Sequence, residues 1–175
     1  MLSRPSRRQI DAGVELVQRQ SVPLALTDSV VSHIVRRGYA YWQDLRGERP
    51  WPMRRELDPA RIVSLLPFLF MVDVLEDGSD FRYRLLGTDI VGNTITDNTG
   101  KRLSELRSQG SQAILAGLYR DTYLSGQPRL QRIAFTTRAG LRSWYECVML
   151  PLGVTEGARP EILLGFAEHF TQPID

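Results

Sequence analysis

"LPFLFMVDVLEDGSDFRYRLLGTDI", Leu66 to Ile90, is the stretch whose reading decides the fold. Up to Pro67 the apolar residues recur at helical spacing, and from Phe68 the period drops to two. "FLFMVDVLE" and "DFRYRLLGT" are short runs rich in apolar and aromatic residues, and "DGS" between them is a turn signal. The stretch predicts an antiparallel hairpin that begins where a helix stops.

Upstream, "DPARIVSLLP" places Asp58 as N-cap, Pro59 in the first helical position and Pro67 at the stop. "TDSVVSHIVRRGYAYWQDLRG" predicts a longer helix capped by Thr27 or Asp28. Its apolar positions Val31, Ile34, Val35, Tyr41, Trp42 and Leu45 have helical spacing, and Gly47 ends it. Residues 1–26 are polar and weakly patterned, which predicts a flexible or loosely docked arm. The chain therefore divides into that arm, an N-terminal helical segment over 27–67, and a core over 68–172.

Downstream, "SQAILAGLYRDTYLSGQP" predicts a helix with Ile114, Leu115, Leu118 and Tyr119 on one face, ended by Gly126 and Pro128. Three strands follow in "RLQRIAFTTR", "LRSWYECVMLPLG" and "EILLGFAEHF". Five strands split two and three by a helical section predict an α+β fold: a five-stranded antiparallel sheet, with helices inserted between strands two and three and further helices before it. Along the fourth strand Trp144, Val148 and Leu150 point one way, while Tyr145, Cys147 and Met149 point the other. Both faces then need a cover: the middle helices on one, the N-terminal helix on the other. A sheet roofed by short helices can enclose a ligand cavity.

"VGNTITDNTGKR", Val91 to Arg102, looks at first like a phosphate-cradling loop. A Walker loop needs glycine where Ile95 stands and Ser or Thr where Arg102 stands, so the nucleotide reading fails. Glycines here are punctuation, with Ser104 expected to cap a short helix.

Composition narrows the function further. The 175 residues suit one domain, with 42% apolar and 24% charged residues, as in ordinary globular chains. Net charge is +2, and Lys101 is the only lysine among 22 basic residues. The arginines are scattered among 20 acids without a basic stripe, so no nucleic-acid partner is expected. A lone cysteine, Cys147, excludes an internal disulfide, and His33 and His169 are too few for most metal sites. No apolar run approaches the ~20 residues of a membrane span. No secretory leader is evident either, so a cytoplasmic protein without a membrane partner is expected.

Taken together, the Leu66–Ile90 stretch, "TGKRLSEL", "RAGLRSWYECVMLPLG" and "LLGFAEHFTQ" resemble PAS domains. They resemble most a bacterial single-domain PAS group in which a tryptophan-containing helix, here around Trp42, precedes the core. The shared motifs are Tyr83-Arg84, Gly87-Thr88, Thr99-Gly100 and Pro151-Leu152, and the resemblance spans roughly residues 29–172. It implies a sensory or interaction module that binds a small molecule between sheet and helices and signals through flanking helices or dimer contacts. Because the chain stops just after its last strand, it is expected to stand alone and signal in trans.

The resemblance directs attention to one cavity. Tyr83 and Leu85 on strand two, Leu115, Leu118 and Tyr119 on the helix, and Ile133 and Phe135 on strand three are the expected ligand-pocket lining. The same residues also suit an ordinary packed core. Arg84, Asp73 and Glu146 are a possible polar anchor for a ligand, or pair with one another on a sheet face. Cofactors are not expected. Flavin-adduct chemistry in this fold uses a helical cysteine motif that is absent, so Cys147 reads as an apolar filler. Haem is disfavoured because the 111–125 helix has no histidine. No nucleophile–base–orienter set can be assembled, so no enzyme is expected. The remaining expectations are an unknown small molecule or signalling protein as partner, and a homodimer through the N-terminal helix. The alternative is a pure interaction module with a filled core.

Overall fold

The computed structural model describes residues 16–23, 29–93, 97–106, 111–137, 142–157 and 159–170. Among the described residues six strands run in chain order: β1 (Leu16–Pro23), β2 (Leu69–Leu75), β3 (Asp80–Leu86), β4 (Arg129–Thr137), β5 (Arg142–Leu152) and β6 (Ile162–Phe170). Three α-helices accompany them: α1 (His33–Arg46), α2 (Thr88–Gly92) and α3 (Ser111–Ser125). The strands form one sheet in the order β1-β4-β5-β6-β2-β3, with every pairing antiparallel.

The five strands read from the sequence are β2 to β6. The sixth is an addition: Leu16–Pro23, expected as part of a flexible or loosely docked arm, pairs with β4 along its outer edge. That pairing covers backbone donors and acceptors which β4 would otherwise present at the sheet edge.

α1 begins later than the sequence suggests. Its cap is Ser32, whose hydroxyl accepts from the Val35 N–H at 3.0 Å, and not Thr27 or Asp28. Gly47 ends it with φ 55, a conformation glycine adopts without a Cβ penalty. The Asp58–Pro59 start holds, with Asp58 accepting from the Ala60 N–H at 3.0 Å, but Pro59–Phe68 winds as a 3-10 helix. The hairpin turn at 76–78 carries positive φ at Glu76, Asp77 and Gly78.

Both sheet faces are covered, as alternation along β5 requires. Val148, Leu150 and Leu152 pack with Val35, Tyr41 and Trp42 of α1 in one apolar cluster. Cys147 and Met149, with Tyr145 at the margin, pack with Leu118 and Tyr119 of α3 in the other. α1 is locked down at Trp42, whose indole N–H donates to the Pro151 carbonyl at 2.8 Å. Of the apolar positions expected on this helix, Val35, Tyr41 and Trp42 are buried against the chain's own sheet, while Val31 is 60% exposed. No helix among the described residues is long and apolar enough to cross a membrane.

Candidate functional site

The layer between α3 and the sheet contains a group of polar atoms inside apolar surroundings. Tyr119, 1% exposed, stands on the inner face of α3. Its hydroxyl lies 3.3 Å from that of Tyr83 on β3, and the two rings meet edge-on with centroids 6.5 Å apart. Phe81 braces Tyr119 from the side with its ring centroid 5.4 Å away. Tyr145 and Cys147 follow on β5, on the same face. The β-ladder then aligns Ile133 with Tyr145 and Tyr145 with His169, whose ring lies 4.8 Å from the Tyr145 ring. His169 is only partly buried as a residue, yet its Nδ1 is shut away from solvent without a hydrogen-bond partner.

Burial shifts the titration of Tyr83, Tyr119, Cys147 and His169. It raises the Tyr83 hydroxyl above its ordinary pKa and the Tyr119 hydroxyl well above it, the latter reinforced by neighbouring Tyr83, Tyr145 and Cys147. Burial, helped by the charge of Glu146, pushes the Cys147 thiol up to about 12. Burial alone pushes the His169 imidazole down to about 4. At neutral pH these four groups are uncharged.

The "TGKR" segment has a role here that its Walker-like look conceals. Gly100, at φ 84, turns the chain so that its N–H donates to the Tyr83 carbonyl at 2.7 Å. The Tyr83 N–H in turn donates to the Lys101 carbonyl at 3.1 Å. The loop is an edge partner that fixes Tyr83. Ser104 does not cap either, since its hydroxyl donates to Asp80 Oδ2 at 2.7 Å.

Among the expected pocket residues, Tyr83, Leu115, Leu118 and Tyr119 share the α3-side cluster, and Ile133 is buried on the same sheet face at 1% exposure. Leu85 does not belong. A bulge in β3 leaves Arg84 as an extra residue between Tyr83, opposite Val72, and Leu85, opposite Met71. Alternation flips at that point, so Leu86 packs inward and Leu85 is 41% exposed. The backbone of Phe135 pairs with Ser143 in the sheet, but its side chain lies outside the described residues.

The polar anchor also separates into two. Arg84 donates to Asp73 Oδ1 at 2.5 Å and Arg82 to Asp73 Oδ2 at 3.1 Å, a compensated ion group on β2 and β3. Glu146 is elsewhere. Asp73 aligns with Ile162 and Ile162 with Leu152, about 20 Å along β5 from Glu146 at the usual rise per residue. Glu146 lies on the α1 face, where it accepts from Arg132 Nε at 3.0 Å and from the Ser32 N–H at 2.7 Å. None of the three faces the hydroxyl group.

Tyr145 and His169 are the site residues that the sequence reading leaves out. Alternation already puts Tyr145 beside Cys147. Had the last two strands been paired in register, His169 would have fallen next to Tyr145, so the signal was present but needed the ladder.

A family model described as "PAS domain" matches residues 30–167. A comparison with curated proteins gave no match. Among solved structures, one described as "Structure of an RNA-binding Light-Oxygen-Voltage Receptor" aligns at a TM-score of 0.44 and 13% identity. That alignment covers 95% of this chain and 44% of the other, and similarity so low carries no function across. The match over 30–167 takes in α1, both apolar clusters and the hydroxyl group, and the chain belongs to the PAS domain family.

Proposed function

We propose that the chain is a non-catalytic sensory module that takes a small molecule between α3 and the sheet and passes the change to a protein partner. The observation that carries this reading is the convergence of Tyr83, Tyr119, Tyr145 and Cys147 in one otherwise apolar cluster, with the His169 ring against Tyr145 at its margin. A few convergent polar groups in apolar walls are the ordinary make-up of a ligand site. A route outward is available on the same strand: Tyr145 and Cys147 face the group, while Glu146 between them holds the start of α1.

A non-catalytic role is supported by the chemistry of the group. A thiol near 12 remains protonated and is a poor nucleophile, and an imidazole near 4 is a weak base at neutral pH. A protein partner is favoured over nucleic acid because several arginines are neutralised by acids, as in the Arg49–Glu56, Arg102–Glu76 and Arg132–Glu146 pairs. A second reading, an interaction module with a filled core, is favoured by the near-complete burial of Leu118, Tyr119 and Cys147.

Thermal-shift measurements against a metabolite panel separate the two. The sensory reading expects at least one compound to raise Tm by several degrees in the wild type, with much of the rise lost in Tyr119→Phe. Compounds that bind equally well to both proteins would place any ligand elsewhere and favour the filled core.

A further inference from the structure

Where α3 ends, the surface opens into a cavity of about 260 Å³. Its lining is Trp51, Tyr123, Leu124, Gly126, Arg159 and Pro160, together with the last residue of α3, Ser125. Glycines hold the two aromatic walls in place. A Cβ at Gly126, where φ is 62, would lie 2.8 Å from the Trp51 ring, and one at Gly153 would lie 3.1 Å from Trp51 Nε1. A Cβ at Gly78, where φ is 84, would lie 2.5 Å from the Tyr123 ring. Trp51 thus rests on bare backbone at two points and Tyr123 at one, so the walls are set before anything binds.

Arg159 gives this cavity its charge. Its guanidinium carbon lies over the Tyr123 ring, 5.2 Å from the centroid. A guanidinium held on an aromatic face keeps the N–H donors along its edge for a forked acceptor. The acid nearest to it in sequence is already satisfied: Glu161 accepts from the Val154 N–H at 2.6 Å, the Thr155 N–H at 2.7 Å and the Thr155 hydroxyl at 3.0 Å. Among the described residues no carboxylate lies within ion-pair distance of Arg159. The Ser125 hydroxyl is committed too, donating to the Asp121 carbonyl at 2.6 Å and accepting from the Gln127 N–H at 3.2 Å. Leu124, 55% exposed, adds apolar surface beside that of Trp51 and Pro160. The complement of such a site is an anion carried on an apolar body. The C-terminal end of α3 carries partial negative charge, which opposes the second charge of a phosphate and favours a carboxylate on the guanidinium fork. A cavity of about 150 Å³ holds benzene, so this one has room for a ring with a short acid arm.

We propose that this cavity is a binding site for a monocarboxylate on an aromatic or apolar body, separate from the layer around Tyr119. The acid forks onto Arg159, and the body lies against Trp51, Tyr123 and Pro160. A free aromatic acid and the carboxyl-terminal residue of a partner chain present this same chemistry. Trp51 packs against the α1-side cluster, while Tyr123 to Gly126 close α3. An occupant therefore ties the two helical layers together at the end of the sheet where β5 turns into β6. The site stands independently of the sensory reading above.

The test is an NMR titration of the isotope-labelled full chain, read at the indole N–H of Trp51, whose signal among the three tryptophans is identified with Trp51→Phe. The probes are phenylacetate and phenylacetamide, N-acetylphenylalanine and its amide, and phenyl phosphate. The expected result is that at least one acid shifts the Trp51 signal and binds about tenfold or more tighter than its amide. Arg159→Gln, at an exposed position, should weaken that acid about tenfold or more, the loss of a charge-assisted bond. Arg159→Lys should recover only part of the loss, because an ammonium lacks the fork. Tyr119→Phe should leave acid binding unchanged. N-acetylphenylalanine binding tighter than phenylacetate assigns the site to a chain terminus, and the reverse order assigns it to a free acid. Amides as tight as their acids, phenyl phosphate tighter than either acid, acid binding indifferent to Arg159→Gln, or no Trp51 shift with any probe up to about 10 mM would each overturn the proposal.

Discussion

The carboxylate of Glu146, fully buried on β5, accepts a 2.7 Å hydrogen bond from the backbone N–H of Ser32, the cap of α1. The same carboxylate accepts from the Val31 N–H at 3.2 Å and is paired with Arg132 on β4. Glu168, aligned with Glu146 on β6, accepts from the Ser32 hydroxyl at 2.8 Å. The first turn of α1 is thus tied to three strands by charge-assisted contacts directly behind Tyr145 and Cys147. Removing one partner of a buried pair leaves the other uncompensated. Glu146→Gln is expected to lower stability by roughly 2–4 kcal/mol. Hydrogen exchange should show it locally as well, with the amides of Val31 and Ser32 losing protection before those of β5.

α1 approaches the sheet at a glycine. A Cβ at Gly38 would lie 2.3 Å from the Phe166 ring, which is itself 0% exposed and has nowhere to move. Alanine gains about 1 kcal/mol of helix propensity over glycine. Overpacking costs about 1–3 kcal/mol and outweighs it. Gly38→Ala should therefore destabilise by up to about 2 kcal/mol, seen as a lower denaturation midpoint with an unchanged slope.

His169 makes stability depend on pH in a defined window. Its folded pKa is about 4 against an ordinary 6.5, so between those values the unfolded chain binds the proton more readily. Stability is then complete above pH 6.5 and falls as pH drops toward 4, by up to about 3 kcal/mol if the depression is fully expressed. The depressed carboxylates Glu56, Asp80, Asp97 and Glu161 lose their contributions lower, below the ordinary carboxylate range. Denaturant titrations of wild type and His169→Phe between pH 5 and 7 should show the slope flattened in the variant.

Cys147 reports on opening of the α3 layer. It is 2% exposed, and its thiol at about 12 holds almost no thiolate at pH 8. An ordinary thiol near 8.5 is roughly a thousandfold richer in thiolate at that pH. Labelling with Ellman's reagent should be slow in the native state and accelerate with denaturant in step with unfolding. Fast native labelling would show that this layer opens independently of the rest.

Much of this architecture was legible from local pattern alone. The switch of period at Phe68, the alternation along β5 and the Gly126–Pro128 stop each reflect a contact that side chains make wherever such a strand or helix is covered. Features created by pairing were harder to see. Nothing in "LVQRQSVP" demands a strand, because that segment is ordered by the open edge of β4. The bulge at Arg84 reverses one residue's facing without leaving a mark in composition, which is why Leu85 and Leu86 exchange roles. Asp73 and Glu146 look equivalent in sequence and become distinct only once the register separates them along the sheet.

The most direct measurement is denaturing extraction of the purified full chain, followed by mass spectrometry and an absorption spectrum of the extract. A single small molecule, released in near-stoichiometric amount from wild type and strongly reduced in Tyr119→Phe, is the outcome expected of a ligand held between α3 and the sheet. An extract free of any small molecule would contradict that assignment and favour the filled-core interaction module.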